Sequence, residues 1–256
     1  MKKQFILSLA VLAALLTSAL CMGQAKVYTR KACLEDFPTK TTKVVVEGQS
    51  FIAITLRDEI QNRWRTSPFE FCTGAEYNSL KTESKFYFLR VVEEEGVVFL
   101  SLEKGGKDGD KDMRNRPLDV IRIPVASSSD DGKALSFIGI AVDIVQAFTL
   151  QAIESDAVGY SGLKLASLKK LNGRTVITDP EKAEQALLAG TPDVAAGVVI
   201  APGYLNFKTK YYKMLVAADT HELLYYAEGA LKNISDARFT DKDIKAFIKR
   251  NGSVAE

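Results

Sequence analysis

Histidine is almost missing from this sequence: 256 residues contain one, His221. A two-histidine metal site and an HExxH helix are therefore excluded, because each needs two imidazoles on one ion. His221 falls in the turn of a predicted hairpin, where it reads as a polar turn residue. Cysteine is scarce as well, at three, and Cys72 has no base near it in sequence to make it a nucleophile. Other catalytic signatures are absent. Gly159-Tyr160-Ser161-Gly162 only approximates a nucleophile elbow and follows no strand. Gly105, Gly106 and Gly109 lack the Lys-Ser/Thr of a phosphate loop, and no GxGxxG follows the first strand. An excess of either charge is lacking too. Removing Lys2 and Lys3 with a leader brings 34 basic residues level with 32 acidic ones. Near-neutrality argues against a general nucleic-acid binder, which needs a basic excess to displace counterions from phosphates, and against a strongly electrostatic membrane binder.

What is present begins with the leader. Lys2 and Lys3 precede an apolar run from Phe5 to Leu16, and small residues follow, the layout of a secretory signal over residues 1–25. Cleavage after Ala25 or after Ala19 leaves small residues at the required positions. The run is short of the roughly 20 residues that span a bilayer, so no transmembrane span is expected once the signal is removed. Cys21 is a candidate for lipidation, although Leu20 puts the bulky residue where a lipoprotein signal wants a small one. The protein is thus expected to be exported, periplasmic or secreted, with a lipid anchor as the alternative. In an oxidising compartment Cys33 and Cys72 form one disulfide or remain two buried thiols.

The hydrophobic pattern predicts an α+β fold with an α/β-like first half: two strand–helix–strand units with antiparallel strands around a long central helix. Residues 26–126 make the first domain and residues 133–256 the second, free to pack as one unit; Ser127–Gly132 is the boundary. In the first, Thr42–Glu47 reads as a strand of contiguous β-branched residues. Leu56, Ile60 and Trp64 mark a helix face. Phe69–Cys72 is a short strand, and Thr73 with Glu76 forms a capping box for a second helix. Lys85–Val92 and Val97–Leu102 are strands joined by a turn, and Leu118–Val125 is a strand placed at a sheet edge by Pro124. Ala134–Glu154 is the long helix, too polar at Asp143, Gln146 and Gln151 for a membrane span. Leu163–Leu171 reads as a further helix stopped by Asn172-Gly173. Then come a strand at Arg174–Thr178, a helix capped by Asp179-Pro180 and three strands at Asp193–Ala201, Lys208–Ala218 and Glu222–Ala227. A last helix, Asp241–Lys249, is capped by Thr240 with Ile244, Phe247 and Ile248 facing inward. The recurrence of strand, helix and antiparallel strands on both sides of the long helix allows an internal duplication.

Two constellations carry candidate chemistry. Asp108, Asp110, Asp112 and Asp119 have the carboxylate spacing of a calcium loop, so calcium is the one cofactor the sequence suggests. Met113 stands where that loop needs glycine, and a solvated loop between strands is the alternative. Tyr211, Tyr212, Tyr225 and Tyr226 lie on neighbouring strands of one hairpin. Adjacent residues point to opposite faces, so an outward aromatic patch or simple cross-strand packing would follow.

The order VVVEG, LRDEIQNRW, FEFC, AEYNSLK, FYFLRVV over residues 43–92 resembles the amino-terminal α/β domain of the TolB family and its curli-secretion-type and penicillin-binding-protein-activator relatives. That resemblance implies a domain that mediates protein–protein contacts in the cell envelope. SPFEFC, YYKMLVAADTHELLYY and FTDKDIK are similar to segments of a group of exported bacterial proteins with no assigned activity. The resulting expectation is a non-enzymatic envelope protein with an envelope protein partner. The alternative is a periplasmic small-molecule binder, or a carboxylate-based enzyme, with a pocket between the two halves.

Overall fold

The computed structural model describes residues 31–48, 50–106, 117–129, 135–250 and 253–255. The leader with Cys21, the residues Asp108, Asp110 and Asp112, and the end of the 127–132 linker lie outside the described residues.

The first half is α1 (Lys31–Leu34), β1 (Thr41–Val45), α2 (Phe51–Arg63), β2 (Phe69–Cys72), α3 (Gly74–Leu80), β3 (Phe86–Glu94), β4 (Val97–Lys104) and β5 (Leu118–Ser127). Sequence chemistry sets these boundaries. The Ser50 hydroxyl accepts from Ala53 N to start α2, and Thr73 and Glu76 close the capping box on α3, each cap contributing about 1 kcal/mol. The β3–β4 turn is tighter than the sequence suggests: Glu95 and Gly96 have φ of 50° and 76°, the two left-handed residues that a two-residue hairpin turn needs. The sheet order is β2-β1-β3-β4-β5. β1 runs parallel to β2 and β3, and β4 and β5 add antiparallel. β5 is the edge, as Pro124 requires, and its register slips beside that proline.

The second half is α4 (Leu135–Ala152), α5 (Asp156–Ser161), β6 (Thr175–Ile177), α6 (Pro180–Ala189), β7 (Val194–Ile200), β8 (Lys210–Ala217), β9 (Leu223–Ala230), α7 (Asp241–Lys249) and β10 (Ser253–Ala255). Its sheet order is β10-β6-β7-β8-β9, with β6 parallel to β10 and β7, then β8 and β9 antiparallel. Both sheets thus have the same spatial plan: three parallel strands, then two antiparallel ones. The chain path differs. The outer parallel strand, β2, comes between β1 and β3 in the first sheet, whereas β10 follows all its neighbours in the second.

Two expectations are corrected. Residues 163–171 are two separate 3-10 turns, Gly162–Leu165 and Leu168–Leu171, with extended backbone at Ser167, whose side chain accepts from Lys169 N to start the second turn. The segment before them forms α5. On α7, Phe247 is fully buried but Ile248 is 57% exposed; consecutive helix positions are about 100° apart, so one stripe does not hold both.

One large apolar core includes residues of both halves, from Leu34 and Trp64 through α4 to Met214 and Ala218. Helix α4 packs on α2, β5 and α5; it is apolar enough for a membrane span, but 67% of it is buried inside the protein. Between the halves, Ser136 on α4 donates to Glu184 on α6, and Phe99 on β4 meets the Tyr212 ring on β8 edge to face at 5.5 Å.

Candidate functional site: a cleft between the two sheets

Strand pairing decides which tyrosines meet. Tyr212 lies directly opposite Glu228, and Met214 opposite Tyr226. Cross-strand partners share a face, so Lys210, Tyr212, Tyr226 and Glu228 stand on one side of the hairpin. Tyr211 and Tyr225 stand on the other. There Tyr225 donates to Asp243 at 2.8 Å and packs on Phe247, while Tyr211 lies against Gly229. The four tyrosines therefore do not form one patch: Tyr212 and Tyr226 line a cleft, and Tyr211 and Tyr225 face α7.

The cleft has a volume of about 850 Å³ and is open to solvent. Its first wall comes from β3, β4 and β5, with Glu94, Phe99 and Arg122. Its second is the β8–β9 face, and Tyr160, the Gly162–Leu165 turn and Phe207–Thr209 close the ends. Arg122 Nη1 donates to Glu94 at 2.7 Å, and the guanidinium lies over the Phe99 ring. Arg122 Nε is buried with no hydrogen-bond partner among the described residues. The Tyr226 hydroxyl donates to Glu228 at 3.0 Å. The Tyr212 hydroxyl has no hydrogen-bond partner among the described residues. Burial pushes its pKa up to about 12, with Glu228 and Glu94 adding to the rise and Arg122 opposing it. It is therefore a neutral donor between carboxylates from two different sheets. Between the lining residues Glu95 and Val97 lies Gly96, at whose backbone Pro202 and Tyr204 of the second half approach closely enough that a Cβ would lie 2.6 Å from the Tyr204 ring.

A second, smaller pocket of about 310 Å³ lies on the opposite side of the Gly162–Leu165 turn. His221 lines it, in a left-handed backbone conformation at φ 56°, rarely adopted by residues with a side chain. Its Nδ1 is paired to Asp143 on α4, and Arg63 Nη1 from α2 donates to the same carboxylate oxygen at 2.8 Å. Arg63 is also paired with Glu59. One carboxylate thus ties the β8–β9 turn to the first half. Lys170–Glu222 and Arg174–Asp219 pairs complete the rim.

Comparison with protein-family models, curated proteins and solved structures found no match.

The remaining sequence candidates are apart from both pockets. Cys33 and Cys72 are free thiols. Cys33 lies on α1, where its carbonyl accepts from Lys104 and Tyr87; Cys72 ends the outer strand β2. Of the calcium-like set only Asp119 is described. Its carboxyl is pushed up by burial, with Arg122 opposing and Glu103 adding to the rise. Among the described residues no group of three His, Cys, Asp or Glu side chains is placed to hold a metal ion. Sequence reasoning passed over Glu94, Arg122 and Glu228, which carry no local motif. The alternation of Tyr212, Met214, Tyr226 and Glu228 about a tight turn was the one available signal for them.

Proposed function

We propose that this protein works by binding a small ligand in the cleft between its two sheets. The observation that carries the reading is the unpartnered Tyr212 hydroxyl set between Glu94 of one sheet and Glu228 of the other. A hydroxyl on a cleft wall that bonds to none of the described residues is available to a ligand, and a groove with a few convergent polar groups among aromatic walls has the character of a small-molecule site. The amino-terminal segment reads as a secretory signal, so the ligand would be met outside the cytoplasm.

The test is a ligand screen by thermal shift on the signal-free chain and on Ala230→Trp, which places an indole into the cleft from an exposed strand end. Saturable stabilisation of the parent protein that Ala230→Trp abolishes supports the reading. Binding that survives the indole, or no binder at all, overturns it.

A second reading, docking onto another envelope protein, is supported by the 201–209 segment beside the cleft. It holds Tyr204, Leu205 and Phe207 exposed, and exposed apolar clusters are characteristic of contact surfaces.

A further inference from the structure

We infer that the ligand of the cleft is an uncharged, polyhydroxylated molecule, a carbohydrate; the inference rests on the cleft being the binding site. Three features of its walls select this class.

The first is charge balance. Glu94 is paired with Arg122 at 2.7 Å, Glu95 with Lys208 at 3.8 Å and Glu228 with Lys210 at 3.9 Å. A charged ligand would have to displace one of these partners or sit beside a like charge, after giving up its own hydration. A neutral ligand leaves every pair in place and uses what the pairs do not.

The second is what they do not use. A carboxylate accepts at about four lone-pair sites, and a guanidinium offers five N–H donors. Arg122 spends Nη1 on Glu94, and the Tyr212 hydroxyl donates to none of the described residues. The cleft thus presents acceptors (Glu94, Glu228) next to donors (Arg122, Tyr212). A hydroxyl donates and accepts at once, so neighbouring hydroxyls on one ring satisfy both kinds of group together. Ammonium groups only donate, and carboxylates only accept.

The third is the aromatic content. Phe99, Tyr160, Phe207, Tyr212 and Tyr226 all line the cleft. Phe207 is 92% exposed and Tyr160 56% exposed, so both rings keep surface open to a ligand. The negative face of an aromatic ring attracts the weakly positive C–H edge of another group, and one face of a pyranose is such a surface. The volume lies high in the range of small-molecule sites, about 300–1,000 Å³, leaving room for more than one sugar ring.

The experiment is calorimetric titration of the signal-free protein with cellotetraose, maltotetraose, xylotetraose and chitotetraose, beside trigalacturonate and the peptide Lys-Tyr-Lys. At least one neutral tetrasaccharide should bind saturably, with affinity nearly unchanged between low and high salt. Tyr212→Phe, which keeps the ring, should weaken it about three- to tenfold, and Glu228→Gln about tenfold or more. Ala230→Trp should abolish binding. Melting curves of the variants establish that each is folded. If only trigalacturonate or the peptide binds, with steep salt dependence and sensitivity to Ala230→Trp, the inference of an uncharged ligand falls and the cleft remains the site. If none of the six probes binds at millimolar concentration, the carbohydrate inference also falls. If sugar binding is indifferent to Ala230→Trp, both the inference and the site are overturned.

Discussion

His221 Nδ1 lies 2.7 Å from Asp143 Oδ2, joining a hairpin turn to a helix 78 residues earlier in the chain. Because Arg63 shares that oxygen, removing the charge weakens two contacts at once, although Arg63 keeps Glu59. Asp143→Asn should destabilise the protein by about 1–3 kcal/mol, read as a melting temperature lower by roughly 3–10 °C in a chain of this size. His221→Asn removes the same contact but suits the left-handed backbone, so it should cost less. Thermal melts of the two variants check this; an unchanged Asp143→Asn midpoint would show that the pair adds nothing to stability.

Lys213 is buried at 3% exposure and bonded to Asp243 at 2.9 Å. Burial alone pushes the Asp243 carboxyl up, but hydrogen bonds from Thr240, Lys213 and Tyr225 outweigh it and hold the group below the usual carboxylate range. A carboxyl depressed on folding adds stability above its unfolded pKa, about 3.9. That contribution is lost as pH falls through the folded value. Asp243→Asn should therefore flatten the acid limb of the stability–pH curve and lower stability at neutral pH, where Lys213 is left buried without its counterion. Denaturant titrations at several pH values between neutrality and acid measure both effects.

Gly96 holds φ 76° and faces Pro202 and Tyr204 beside the cleft. Gly96→Ala meets strain and a clash together, with an expected cost of about 1–3 kcal/mol. The same change should alter ligand affinity in the cleft, because Tyr204 has to move aside. An Ala variant with parent-like stability and affinity would show that the 201–209 segment yields freely.

The two described cysteines should differ in reactivity. Cys33 is half-buried, whereas Cys72 is buried and its thiol is pushed up chiefly by burial, with Glu76 adding and Lys43 opposing. A higher pKa leaves less thiolate at a given pH, so a thiol-reactive dye should modify Cys33 first and reach Cys72 only at higher pH or on unfolding. A reducing agent should leave the melting temperature unchanged. A drop under reduction, with no titratable thiol beforehand, would show instead that the two are bonded in the exported protein.

Local chemistry was legible in the sequence. Thr73, Asp179 and Thr240 each start the helix their side chains predict, and Pro124 marks an edge strand. These features depend on neighbours within four residues. The site was not legible for the opposite reason. His221 reads as a turn residue until Asp143 is brought to it, and Arg122 reads as a strand cation until Tyr212 of the other sheet lies across from it. The paired tyrosines gave half of the answer: alternation separates Tyr212 and Tyr226 from their neighbours, but only the fold shows which pair faces the cleft. Strand β10 was missed because three residues, Ser253–Ala255, carry no period.

The matching plans of the two sheets have a kinetic consequence. In the first sheet, β2 lies between β1 and β3 in the chain, with a helix on either side, and is held by four residue pairs with β1. In the second, β10 follows all the other strands in the chain and is held by three residue pairs with β6. The two outer strands occupy the same seat, yet the second is held by fewer residue pairs. Amide protons of Val254 and Ala255 should accordingly exchange with solvent long before those of β2.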